Sequence, residues 1–144
     1  MRQLSFLVGR LLVVVCAVIS LTACSSSGRT PRAAQTVVRV EEKDFRIVVR
    51  PKRVPTGDVQ LVLRNEGPVT HELIVVRGSR SHLPLRTDGL TIDEDALPDS
   101  GVVEAAGPGS VRRLRLNLSP GRYQLFCNMA GHFLAGMHAE LVVG

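Results

Sequence analysis

Long apolar runs are missing from this 144-residue chain, and so are tryptophan and any basic stripe with interleaved aromatics. Its most apolar stretch, "LLVVVCAVISL" from Leu11 to Leu21, stops well short of the ~20 residues that a membrane-spanning helix needs. There is no phosphate-cradling glycine loop, and the arginines are scattered, so nucleic acid is not expected as a partner. Cysteine is scarce as well: the chain has three, Cys16, Cys24 and Cys127.

The N-terminal segment reads as an export signal rather than as part of a fold. Arg2 and Arg10 flank a polar start, an apolar middle follows, and "TACSSSG" supplies small residues for cleavage. "LTAC", Leu21 to Cys24, resembles the bacterial lipobox, which implies that Cys24 is lipidated and becomes the first mature residue. At about 0.8 kcal/mol per buried methylene, two or three acyl chains would hold the protein durably to a membrane. The expected location is therefore extracytoplasmic, lipid-anchored to a bacterial membrane on its periplasmic or outer face. Loss of residues 1–23 leaves 121 residues and lowers the formal charge from +5 to +3, because Arg2 and Arg10 leave with them. Residues 24–35 are Ser, Gly, Thr, Arg, Pro and Ala without periodicity, as in a flexible tether. Residues 36–144 then form one domain, expected to be monomeric. Cys16 leaves with the signal and Cys24 carries lipid, so no disulfide is available. Cys127 stands alone in a compartment where thiols oxidise, as a buried inert residue or a ligand.

From Thr36 onward the hydrophobic period is two. Phe45, Ile47 and Val49, then Val59, Leu61 and Leu63, then Leu114, Leu116 and Leu118 each alternate with mostly polar residues. The breakers "RPKRVPTGD", "RNEGPVT" and "LSPGR" separate these strands. The pattern predicts an all-β antiparallel sandwich or barrel, with the continuous apolar run Leu73–Val76 as a more central strand. Residues 78–110 break the pattern and read as a long excursion between two strands. Its acids (Asp88, Asp93, Glu94, Asp95 and Asp99) are expected as solvated surface, with "TIDEDALPD" forming at most a short helix.

The segment "CNMAGHFLAGMH" concentrates the chemistry. Cys127, His132 and Met137 are spaced five and five apart, a step that meets on neither a helix face nor a straight strand. They converge only if the chain curls as a loop, and Gly131 and Gly136 precede the second and third donors to permit it. Strand parity places Cys127 with Leu125 and Tyr123, Met137 with Ala139 and Leu141, and His71 with Leu73 and Val75, all inward. His138 falls outward with Glu140. A thiolate, two imidazoles and a weak thioether favour copper, the donor set of an electron-transfer site. Structural zinc takes no thioether, so it fits less well. His82 is expected as a solvated loop residue and Met129 as packing.

"NEGPVTHEL" with "LSPGRYQLFCNMAGHFLAGMHAELVV" resembles the cupredoxins, the plastocyanin and azurin family of blue copper proteins, over most of residues 37–144. The resemblance implies a Greek-key β-sandwich of seven to eight strands and one type 1 copper ion held by His71, Cys127, His132 and Met137. It departs from the family at Ala130, where many members carry proline, at Glu72, where plastocyanin and azurin have asparagine, and at Thr70, where azurin has glycine. The implied function is single-electron transfer between redox partner proteins, with no substrate transformed, and copper carriage or sequestration is the alternative. An enzyme would need a second copper with an open position, and the chain has too few spare histidines for one. By the same resemblance electrons would pass through His132, within an apolar surface to which Phe133 and Leu134 contribute.

Overall fold

The computed structural model describes residues 35–98 and 100–144, so the expected signal, Cys24 and most of the tether lie outside the described residues. These described residues belong to one compact unit. Nine strands occur among the described residues: β1 (Thr36–Lys43), β2 (Arg46–Arg50), β3 (Arg53–Val54), β4 (Gly57–Asn65), β5 (His71–Arg77), β6 (Ser100–Ala106), β7 (Val111–Leu118), β8 (Gly121–Phe126) and β9 (His138–Val143). They form two mixed sheets, ordered β2-β1-β4-β7 and β3-β9-β8-β5-β6. β1 runs parallel to β4 and β3 parallel to β9, and the other pairings are antiparallel.

The alternation read from the sequence becomes the core between the sheets. Val38 and Val40 of β1, Ile47 and Val49 of β2, and Val59, Leu61 and Leu63 of β4 pack with Leu73 and Val75 of β5, Leu125 of β8 and Leu141 of β9. Leu114 and Leu116 of β7 are only half-buried against it. The run Leu73–Val76 is apolar throughout because β5 is covered on both faces. Its second face, Ile74 and Val76, joins Phe126, Ile92 and Phe133 in a smaller cluster that Leu83 and Leu97 flank.

Two expectations change here. The excursion is shorter than residues 78–110, because β6 lies within that span and pairs with β5. Its remainder holds two single 3-10 turns, Arg80–His82 and Glu94–Ala96. Phe45 is not a strand residue: Asp44 and Phe45 both have positive φ, 46° and 61°, the signature of a two-residue hairpin turn between antiparallel strands. Neither residue is glycine, so this left-handed pair is strained by about 1–2 kcal/mol per residue.

Candidate metal centre

Asn65 closes β4 and sets the loop that delivers the first donor. Its side-chain amide donates to the carbonyls of Val69 and Ala106, each at 2.7 Å, and its side-chain oxygen accepts from the Gly67 N–H at 2.8 Å. Its backbone N–H donates to the Ser110 carbonyl, and its own carbonyl accepts from Gly109. This fully satisfied, buried asparagine fixes the turn "NEGPVT" and so the start of β5, where His71 is 1% exposed.

β8 is the antiparallel neighbour of β5, with Ile74 opposite Phe126, and this pairing brings Cys127 to His71. The late loop is pinched at its base: the Cys127 N–H donates to the Met137 carbonyl at 3.1 Å and the Met137 N–H to the His132 carbonyl at 3.0 Å. Within it, Ala135 N–H donates to the Gly131 carbonyl and Gly136 N–H to the Phe133 carbonyl. Gly131 at φ 79° and Gly136 at φ 100° make the reversals, as their places before His132 and Met137 require.

His71, Cys127 and His132 each offer a ligand atom within 4.8 Å of the others. Cys127 Sγ lies 3.4 Å from His132 Nδ1 and 4.0 Å from His71 Nδ1, and the two imidazoles meet edge-on at 5.2 Å between centroids. An ion bound to sulfur and nitrogen at about 2.0–2.3 Å holds such donors roughly 3.5 Å apart, so the three fit one metal ion. Met137 is fully buried in the same core cluster as Cys127.

The electrostatics say what the site needs. Burial pushes the Cys127 thiol up to about 11, and the carboxylates of Glu42 and Glu72 push the same way, against hydrogen bonds from the backbone at Glu72 and Met129. Burial, then the neighbouring His132, lowers the His71 pKa. The site therefore stabilises neutral imidazole and a protonated thiol, and a metal that binds it must displace the thiol proton.

Other residues fall differently from expectation. Phe133, expected to help form an apolar surface, turns inward against Phe126 at 5.4 Å and lies beside His138 at 5.5 Å. The exposed apolar neighbours are Leu134, 52% exposed, and Phe45, 48% exposed. The Phe45 ring meets His132 edge-on at 4.9 Å, so the strained hairpin turn packs directly on the site. His138 sits on the face opposite Met137, as parity requires, but is half-buried, its Nε2 3.0 Å from Arg80. Met129 is exposed rather than packed. His82 is exposed, its ring bonded to Ser79 Oγ at 2.7 Å. Asp88, Glu94 and Asp95 are exposed and Asp93 is half-buried, in line with the expected surface role, and they also brace the excursion: Arg86 pairs with Asp93 and Asp95, and Asp88 accepts from the backbone of Leu90 and Thr91; Asp99 lies outside the described residues.

Two residues were not anticipated from sequence. Asn128, next to Cys127, accepts from Ile92 N–H at 2.6 Å and donates to the Ile92 carbonyl at 3.0 Å and to Glu94 at 2.7 Å, which fastens the excursion onto the ligand loop. The second is Glu42, fully buried on β1.

No protein-family model and no curated protein matches the chain. Solved structures do. Auracyanin B is 20% identical at a TM-score of 0.56, over 76% of this chain and 88% of its own. Rusticyanin from Thiobacillus ferrooxidans is 15% identical at 0.57, over 77% and 79%. Auracyanin A, described as a "blue" copper protein from Chloroflexus aurantiacus, is 14% identical at 0.57, over 76% and 99%. At this identity the likeness is one of architecture: the chain has the cupredoxin fold, with two imidazoles and a buried thiol gathered where its late loop closes.

Proposed function

We propose that this chain is a type 1 (blue) copper protein that transfers single electrons between redox partner proteins. The observation that carries the reading is Cys127 Sγ lying 3.4 Å from His132 Nδ1 and 4.0 Å from His71 Nδ1 at the end of a cupredoxin sandwich. Copper held by these three donors, with Met137 as a weak thioether donor, would supply a one-electron couple between Cu(II) and Cu(I). The chain's part is to hold the donors still: Asn65 fixes His71, the backbone bonds between Cys127, His132 and Met137 close the loop, and Asn128 fastens it to the excursion. A thiolate in a loop pinned at both ends exchanges slowly, which favours electron transfer over copper carriage. His132, half-buried beside the exposed Phe45, is the ring through which electrons pass, with Leu134 at the rim.

The test is copper titration of the apoprotein, followed by visible spectra and redox potentiometry. An intense thiolate-to-copper band is expected and should vanish in Cys127→Ser, whereas Met137→Leu should keep the band and raise the potential. A serine variant that stays blue would refute the assignment. The lipid anchor is a second part of the proposal, carried by the "LTAC" sequence alone. Cys24→Ala should leave the membrane fraction or remain unprocessed, and a variant cleaved normally and still membrane-bound would remove it.

A further inference from the structure

Glu42 is the only fully buried carboxylate among the described residues. On β1 it follows Val38 and Val40 in pointing into the sandwich, and it is 0% exposed. Neither of its carboxyl oxygens has a hydrogen-bond partner among the described residues. Asn65, opposite it in the parallel register, already has its side-chain oxygen and nitrogen bonded to Gly67, Val69 and Ala106. The charged group that acts on Glu42 is Glu72, of the same sign, and burial with this repulsion raises the Glu42 pKa to about 8.

An isolated buried carboxylate costs several kcal/mol, and an apolar residue of similar size commonly does as well or better in such a place. Val38 and Val40 show that this face of β1 accepts apolar side chains. Protonation removes the charge but leaves a buried hydroxyl with no acceptor. What would satisfy Glu42 is a cation, and Glu42 stands beside the loop that delivers the first donor: its carbonyl accepts from the Glu66 N–H at 2.8 Å, and the next residue, Gly67, lies against both His71 Nε2 and the backbone of Lys43.

We propose that Glu42 belongs to the metal centre as the buried carboxylate whose charge balances the bound cation and favours its higher oxidation state. The inference rests on the copper reading above. With a thiolate as the only anion, Cu(II) leaves one net positive charge in a low-dielectric interior and Cu(I) leaves none, so burial favours the reduced form. A second buried anion reverses this, leaving the oxidised site neutral and the reduced site negative. Glu42 is thus a device that lowers the potential without altering the His-Cys-His donor set.

Glu42→Gln keeps the shape and removes the charge, and Glu42→Leu is the second variant should glutamine leave its amide unsatisfied. In the copper-loaded full chain, either should retain the thiolate band while Cu(II)-over-Cu(I) preference drops at least tenfold. That is a rise of ~59 mV or more in a one-electron redox titration. In thermal melts at pH 8, either should leave the metal-free protein as stable as wild type or more so, while reducing the stabilisation gained on adding Cu(II). A merely structural glutamate would lower both melts and leave the potential in place. An unchanged or lower potential in variants that stay blue overturns the role of Glu42 and leaves the copper reading standing. A wild-type protein with no blue band overturns the copper reading, and the role of Glu42 with it.

Discussion

Replacing Asn65 by alanine tests whether the first donor's loop is held as the hydrogen bonds indicate. The substitution strips the partner from the Gly67 N–H and from the carbonyls of Ala106 and Val69. The first two bonds are buried and the third is partly so. At about 1–3 kcal/mol for each of the two fully buried groups left unsatisfied, the loss is about 2–6 kcal/mol. For a domain of this size that is roughly 4 °C per kcal/mol, so the melting temperature of the metal-free protein should fall by about 8–24 °C. Asn65→Asp discriminates further. It can still accept from Gly67, but it has no N–H for the two carbonyls and turns a negative charge on them, so it should be no better than alanine. Scanning calorimetry at neutral pH reads both variants. A drop under about 3 °C for alanine, or near-wild-type stability for aspartate, would refute the view that this amide positions His71.

Leu134→Glu should slow electron self-exchange between molecules, since it puts a charge on the exposed apolar rim next to His132, while spectrum and potential stay almost unchanged; stopped-flow or NMR line broadening measures it, and an unaltered rate would move the port elsewhere. Stability of the metal-free protein should fall as pH rises from about 6.5 to about 8. Glu42 has its folded pKa raised to about 8 from 4.5, so the folded state holds a proton that the unfolded state has lost, at a slope of at most about 1.4 kcal/mol per pH unit. His71 and His138, both lowered from 6.5, act in the opposite sense only below that value, while Glu72, raised by burial and by the neighbouring Glu94, acts in the same sense as Glu42. Urea melts across the window check it: Glu42→Gln should flatten the slope, and a flat wild-type profile would contradict the burial argument.

Much of this was legible because the sandwich writes itself in period two and three of the donors sit in one short loop. Cys127, His132 and Met137 could be read together from their spacing and the two glycines, with no knowledge of the rest of the fold. β6 was hidden because "SGVVEAA" carries Gly101 in its interior. A Cβ there would lie 2.6 Å from a Leu116 methyl, which would have to move to admit it. Phe45 was misplaced because alternation cannot distinguish the last residue of a turn from the first of a strand, and two successive left-handed residues without glycine leave no compositional mark. Phe133 turned inward because the second face of β5 and β8 needed a cover, a demand that arises only once the sheets exist. Glu42 was visible in principle: parity put it with Val38 and Val40, and a carboxylate on that face was the anomaly to notice.

The donors come from unequal distances along the chain, and this bears on the order in which the protein is made. Cys127, His132 and Met137 span eleven residues, whereas His71 lies 56 residues before Cys127 and joins them only when β5 pairs with β8. An unfolded chain thus already carries a local cluster of soft donors with some affinity for metal, and only the folded chain carries the whole set. The difference between those two affinities is the part of metal binding that drives folding. A chain that met copper early would hold it by the late loop and deliver the first imidazole as its last act of assembly.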